Sequence, residues 1–193
     1  MGNEITKSLP RRLADHRFVS RYFVGKGIDI GCGNDSLAQY SWCFPLVTSI
    51  KSWDIPDGDA QHMSGVENET FDFIVSSHCL EHLHDPYESM TNWCRILKPG
   101  GYMVIVVPDE DLYEQRNWPS RYNRDHKTTW TIQKTQSWSP VSINVTNFLS
   151  QFPMLNVLKL ELCDSTYNYG LDQIDQTLNL PSESAIEIIL RKI

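Results

Sequence analysis

The sequence predicts an α/β domain, doubly wound on a mostly parallel sheet, and three observations carry that prediction. Runs such as FDFIVSSH at 71–78 and YMVIVVP at 102–108 show no polar alternation, as expected of strands covered on both faces. They alternate with helix-patterned segments, the order that makes parallel strands joined by crossovers. The first strand runs directly into a glycine-rich turn, GIDIGCGND at 27–35.

Each element has its own grounds. Residues 1–24 form a leading helical segment, with Leu13, Phe18, Val19, Tyr22 and Phe23 as a rough apolar stripe after Pro10. Gly27–Gly31 is a short buried strand, and a helix is expected over about 36–42, ended by Pro45. LVTSIKSWD at 46–54 has strand-like β-branched and aromatic content. Asp85 and Pro86 begin a crossover helix over 86–97 that brings Met90, Trp93, Cys94 and Leu97 onto one face. KPGG at 98–101 reads as a turn before the strand 102–108. From 109 to 140 the chain is polar, aromatic and charged without periodicity, a length of loop that in a compact domain is usually functional. A helix near 145–152, a strand near 157–163 and a closing strand at 185–193 complete the set, with the last strand antiparallel to the rest.

A chain of 193 residues, 40% of them hydrophobic, can bury one core, so 1–193 is expected to be a single domain. A net charge of -7 argues against nucleic acid as a partner, because phosphate affinity rests on Lys and Arg. The five cysteines form no C-x-x-C pair, which fits reduced thiols in the cytoplasm better than a zinc site or a disulfide framework. No run of residues is long and apolar enough for a membrane span or a signal peptide. The expected partner is a small molecule, and the chain a monomer or homodimer.

The glycine turn is not that of a dinucleotide site. Gly31 and Gly33 match G-x-G, but Ser36 stands where the third glycine of G-x-G-x-x-G belongs. Asp29 makes the motif D-x-G-x-G, and an ionised carboxylate there would repel a pyrophosphate yet attract an ammonium group. This motif, FDFIVSSHCLEHLHDP with its L-E-H element, and RILKPGGYMVIVVP together resemble the class I S-adenosylmethionine-dependent methyltransferases, over 27–108. NRDHK at 123–127 resembles a further segment of the same enzymes.

The resemblance implies a Rossmann-like fold and S-adenosylmethionine as cofactor, with S-adenosylhomocysteine as product. It implies cofactor contacts from Asp29, Gly31, Gly33, Ser77 and His78. An acid near the end of the second strand would take the ribose hydroxyls, and GDA at 58–60 resembles the adenine-side element, with Asp59 and Ala60. Only four residues separate Asp54 from Asp59, too few for the usual helix and third strand, so the region between the second and fourth family strands is shortened and the two acids compete for one loop. The resemblance also implies methyl transfer to oxygen, plausibly on a sugar or phosphorylated intermediate of surface-polysaccharide assembly.

Other residues are read from chemistry and position. His78 and His82 have the i, i+4 spacing of a helical zinc pair, but H-C-L-E-H lacks the H-E-x-x-H order and straddles a strand end, so no metal is expected. His78 at the strand end and His126, beside Asp125, are the candidate general bases; Glu81 and His82 either line the site or hold the helix start. Arg116, Trp118, Arg121, Tyr122, Asn123 and Asp125 lie just after the strand 102–108, where such sheets open to ligands. They read as a lid for an anionic or sugar-like acceptor, or as a solvated loop.

Overall fold

A computed structural model of the protein describes residues 3–193; residues 1 and 2 of the expected leading segment lie outside it. Six strands form one sheet in the order β2 (Val47–Trp53), β1 (Gly25–Ile30), β3 (Phe71–Ser77), β4 (Leu97–Pro108), β8 (Ala185–Lys192), β7 (Leu155–Cys163). The first four are mutually parallel, and β8 runs antiparallel to both β4 and β7. Two short strands, β5 (Thr129–Thr131) and β6 (Ser142–Asn144), pair separately. The sheet is therefore the doubly wound, mostly parallel one that the apolar runs predict.

Side-chain alternation along the strands splits the core into two layers. Ile74, Met103, Ile105 and Ile188 face the layer that holds α2 (Pro86–Ile96), α3 (Val145–Leu149) and Trp130. Phe73, Val75, Val104 and Ile189 face the other, with Phe18, Tyr22, Phe23 and Phe44. Gly27 is required where these layers meet the sheet, because a Cβ there would lie 2.1 Å from the Phe73 ring.

Several elements differ from expectation. The leading helix α1 spans Glu4–Ala14 and runs through Pro10; the stripe after Pro10 belongs instead to a wide helical turn, Phe18–Tyr22, and Leu13 is exposed. The helix expected at 36–42 is a tight 3₁₀ helix, Leu37–Cys43, capped by the Ser36 hydroxyl, which accepts from the Ala38 N–H. KPGG lies within β4, with Gly100 at a positive φ of 79° where the register with β3 shifts. The stretch 109–140 contains a wide helical turn, Glu110–Glu114, and β5. Between Asp54 and Phe71 there are only a single 3₁₀ turn, Ile55–Asp57, and irregular turns, so the strand and longer helix expected there from the resemblance are missing and β2 is the sheet edge. All five cysteines are free. Among the described residues no helix is long and apolar enough to cross a membrane.

A buried charge cluster fastens α1 to the sheet. Glu187 on β8 is fully buried and faces Arg11 at 2.7 Å, Lys159 at 3.2 Å and Arg12 at 3.5 Å. Arg12, also fully buried, lies over the rings of Phe18 and Phe23. Burial would raise the Glu187 pKa, but Arg12 and then Arg11 outweigh it and hold it below the usual carboxylate range. Removing one partner of such a cluster strands the others in a dry site. Glu187→Ala should therefore destabilise the fold by about 3–5 kcal/mol in chemical denaturation; a loss within the noise of a surface substitution would show that water reaches the cluster.

Candidate functional site

A cleft of ≈ 700 Å³ opens at the carboxyl ends of β1 and β3, the switch point where a doubly wound sheet parts to admit a ligand. The start of α1 and the segment 175–180 form the opposite wall. A smaller groove of ≈ 390 Å³ beside Trp42 has no titratable side chain in its lining, so the chemistry belongs to the first cleft.

The glycine loop forms one end. Gly31 follows β1 with a φ of 73°, and a Cβ there would stand 2.5 Å from the Cys79 side chain, so only glycine permits this close approach. Gly33 also has a positive φ, 53°. Asp29 on β1 is buried; its Oδ2 accepts the Leu37 N–H at 2.7 Å, while its Oδ1 is buried with no hydrogen-bond partner. Burial raises its pKa to about 6, against the hydrogen bonds from Leu37 and Ser36 and the charge of Arg12, with Asp35 adding to the rise. The Ser77 hydroxyl at the end of β3 is likewise buried and unpartnered. Both residues line the cleft, so two orphaned polar groups flank a loop built for close backbone approach. That arrangement suits a ligand presenting a cationic hydrogen-bond donor.

The two competing acids separate clearly. Asp54, at the end of β2, accepts from the Gly33 N–H at 2.5 Å and from the Ile55 N–H at 2.7 Å, and so sits against the glycine loop beside the cleft. Asp59 is exposed, accepts from the Gln61 N–H and pairs with His62 at 3.0 Å, away from the cleft. The Ala60 carbonyl accepts the Trp93 indole N–H and its side chain packs on the core. The turn that carries Asp59 and Ala60, expected as cofactor contacts, packs against α2, and neither residue is in the cleft lining.

An imidazole corner forms the other end. His78 follows β3 with a φ of 55°, an uncommon conformation for a non-glycine residue that turns the chain into the cleft. Its Nε2 lies 3.4 Å from Glu4 Oε2 and its Nδ1 3.5 Å from Glu81 Oε1. Burial would lower its pKa, but Glu4 and then Glu81 outweigh burial and raise it. Glu81 is fully buried, and neither carboxylate oxygen has a hydrogen-bond partner. Burial would raise its pKa too; the imidazoles of His78, His82 and His126 outweigh that and lower it. His126 is buried, and its Nδ1 stands 2.6 Å from Glu114 Oε1. The sequence placed Asp125 beside His126, but Asp125 pairs with His82 Nδ1 at 2.9 Å, and Glu114 is the partner of His126.

The loop after β4 contributes only in part. Tyr122, Asn123, Asp125 and His126 line the cleft, whereas Arg116, Trp118 and Arg121 do not. Arg116 and Arg121 are exposed, and the Arg121 guanidinium lies over the Tyr122 ring. Neither arginine of the expected lid is in the cleft lining. Cleft residues that sequence reasoning missed include Glu4, Lys7, Tyr113, Asp175 and Thr177. Glu4, Lys7, Asp175 and Thr177 come from segments far from any motif, with no local signal to mark them, whereas Tyr113 lies in the loop after β4 that composition did mark.

A methyltransferase-domain family model matches residues 5–144. No curated protein matches the sequence. Solved structures match over nearly the whole chain at low identity. An S-adenosylmethionine-dependent methyltransferase from Archaeoglobus fulgidus is 19% identical, with a TM-score of 0.61, covering 98% of this chain and 94% of that one. An S-adenosylmethionine-dependent methyltransferase from Mesorhizobium loti is 15% identical, with a TM-score of 0.58, covering 99% and 100%. The N-methyltransferase NodS from Bradyrhizobium japonicum is 17% identical, with a TM-score of 0.56, covering 98% of each.

The Asp29 carboxyl gives a testable pH dependence. Its folded pKa, about 6, lies above its ordinary value of 3.8, so the native state holds the proton more tightly. That favourable contribution is complete below 3.8 and is lost as pH rises through about 6. Asp29→Asn, which keeps an acceptor for the Leu37 N–H, should therefore be more stable than the wild type at pH 7, by roughly 2–3 kcal/mol. The gap should close near pH 4; a difference independent of pH would mean that Asp29 is not desolvated.

Proposed function

The chain belongs to the methyltransferase-domain family, and from that premise we propose that it transfers a methyl group from S-adenosylmethionine to a hydroxyl oxygen of a small, neutral, sugar-like acceptor. One observation carries the reading: a single cleft joins the glycine loop, with the orphaned Asp29 Oδ1, to the His126–Glu114 pair. The first end suits the cofactor's ammonium group, and the second suits a hydroxyl that must lose a proton.

S-adenosylmethionine, when bound, supplies a methyl group already activated on a sulfonium. The protein's own residues have four tasks. Asp29 and Ser77 offer buried oxygens to the cofactor's amino-acid end, and Gly31 and Gly33 let the backbone approach it. Asp54, half-buried beside Gly33, is the acid in position for the ribose hydroxyls. His126 Nε2 takes the acceptor's proton, while Glu114 fixes Nδ1 as the protonated nitrogen and stabilises the imidazolium that forms. His78, on the same wall, is the second candidate base. Alignment of the reacting groups in the closed cleft can supply about 7–11 kcal/mol.

The acceptor follows from the lining. Glu4, Asp29, Asp35, Glu81, Asp125 and Asp175 face or edge the cleft against one lysine, Lys7, whose ammonium already donates to Glu4 and to the Thr177 carbonyl. An anion would be repelled there, and neither Arg116 nor Arg121 is part of the lining, so the phosphorylated acceptor has the weaker support. Tyr113, Tyr122 and Asn123 offer aromatic faces and polar edges suited to a sugar. A place in surface-polysaccharide assembly remains part of the proposal, carried by the motif resemblance.

A second reading, a cofactor-binding module without turnover, draws on the strand missing between Asp54 and Phe71, which removes part of the adenine side of the site. A nicotinamide dinucleotide has the charge of Asp29 against it, and Ser36 is committed to capping the 3₁₀ helix.

Calorimetric titration with S-adenosylhomocysteine should show binding, with NAD as a silent control, and Asp29→Ala should weaken that binding severely; the reverse preference would overturn the cofactor assignment. Across a panel of sugars and nucleotide sugars, release of S-adenosylhomocysteine should mark the acceptor. With that acceptor, His126→Ala should lower turnover by about 10²–10⁴ and leave S-adenosylhomocysteine affinity unchanged. Undiminished turnover would exclude His126 as the base, and binding without turnover on every acceptor would favour the second reading.

A further inference from the structure

The three ligand-type residues Glu81, His82 and His126 meet at one point of the cleft wall, with their candidate ligand atoms all within 4.8 Å of one another. The two histidines are oriented alike. His82 Nδ1 faces the Asp125 carboxylate at 2.9 Å, and His126 Nδ1 faces the Glu114 carboxylate at 2.6 Å. A carboxylate partner at Nδ1 makes that nitrogen the protonated one and leaves the Nε2 lone pair free. Both Nε2 atoms then point to the same place, each 3.9 Å from Glu81 Oε1. Carboxylate, imidazole and a shared central point are the arrangement by which proteins hold metal-ligating histidines.

Glu81 supplies the independent observation. It is fully buried, and neither carboxylate oxygen makes a hydrogen bond, although three imidazole nitrogens stand 3.5–3.9 Å from Oε1; a buried carboxylate short of hydrogen bonds is costly. Its main chain is held firmly, because the Glu81 carbonyl accepts the N–H groups of Lys127 at 2.8 Å and Thr128 at 3.3 Å. That contact also ties the loop carrying His126 to the turn carrying Glu81 and His82, which lie more than 40 positions earlier in the chain.

We propose that Glu81, His82 and His126 form a binding site for a divalent transition-metal ion, through one carboxylate oxygen and two Nε2 atoms, with its remaining coordination position open to the cleft. Two nitrogens with one carboxylate select zinc and its transition-metal neighbours over magnesium or calcium, which prefer all-oxygen sets. Bonds of about 2.0–2.2 Å place ligand atoms roughly 3.3 Å apart at a tetrahedral centre, so each Nε2, now 3.9 Å from Glu81 Oε1, must move in on loading, and the widest pair, within 4.8 Å, must move further. This is a different set from the His78 and His82 pair that sequence spacing suggested; His78 stays outside it, beside Glu81. Loaded, the site puts a Lewis acid where the unloaded protein has an imidazole base. That catalytic consequence rests on the reading of the cleft given above, whereas the binding does not.

The test uses the whole protein, stripped with a chelator and titrated with zinc by calorimetry and with cobalt by its visible absorption. One ion should bind per chain, with the intense visible bands of a low-coordinate cobalt centre. His82→Ala should weaken binding at least tenfold, and Asp125→Asn, which changes the exposed partner of His82 Nδ1 that also pairs with Lys127, should weaken it about 10–100-fold. His62→Ala, altering an exposed histidine paired with Asp59 and Glu88 elsewhere, should bind as the wild type does. Glu81→Gln adds a third measure where its melting curve shows a folded protein. No stoichiometric binding, or binding unchanged in both His82→Ala and Asp125→Asn, overturns the site. Titration of the same samples with S-adenosylhomocysteine separates the two readings: metal without cofactor binding sinks the methyltransferase assignment alone, and cofactor without metal binding sinks this site alone.

Discussion

The Glu81 residue is the constraint on which the working end of the molecule depends. Its carbonyl anchors the loop that delivers His126, and its carboxylate lies dry among three imidazoles. A group in that setting is stable only if its neighbours stay close, so the burial of one carboxylate dictates the positions of His78, His82 and His126 together. Those histidines come from the end of β3, the turn after it, and a loop beyond β4. Glu81 is the group that all three share, while Asp125 and Glu114 hold His82 and His126 from their other nitrogens.

How much of this was legible in sequence depends on whether the cause was local. The strands were legible because burial on both faces leaves an uninterrupted apolar run, as in 102–108, and β4 carries it. The glycine loop was legible because a positive φ and a close approach demand glycine at one particular place. The missing third strand was legible by arithmetic alone, since four residues between Asp54 and Asp59 cannot hold it. The same count set Asp54 and Asp59 in competition for one loop, and the geometry separates them, because a shortened turn need not keep the contacts of a longer one. KPGG was taken for a turn and is a kink inside β4, a difference that rests on long-range pairing with β3.

The site's wiring was not legible for a related reason. His126 was singled out correctly as a cleft residue, but its partner was expected to be its sequence neighbour; on an irregular loop, adjacent side chains point apart, and Asp125 and His126 go to different partners. Arg116, Trp118 and Arg121 show that composition marks a loop without saying which of its faces turns inward. Glu4, Asp175 and Thr177 reach the cleft from opposite regions of the chain, through the packing of α1 on β8, and the Arg12–Glu187 contact that fixes that packing spans 175 positions. The electrostatic character of the cleft follows from this assembly: an acidic lining welcomes a cationic cofactor and discourages an anionic companion, although no single motif encodes it.

The docking of α1 has a further consequence. The helix contributes Glu4 and Lys7 to the cleft wall, Thr6 bonds Asp35 through both its N–H and its hydroxyl, and Lys7 reaches across to the Thr177 carbonyl. A ligand in the cleft and the helix over it therefore share one free-energy cycle. Whatever factor occupancy adds to the helix's docked population, docking adds to the ligand's affinity, by the reciprocity of linked equilibria. The helix is thus a thermodynamic partner of the bound molecule as well as part of its container.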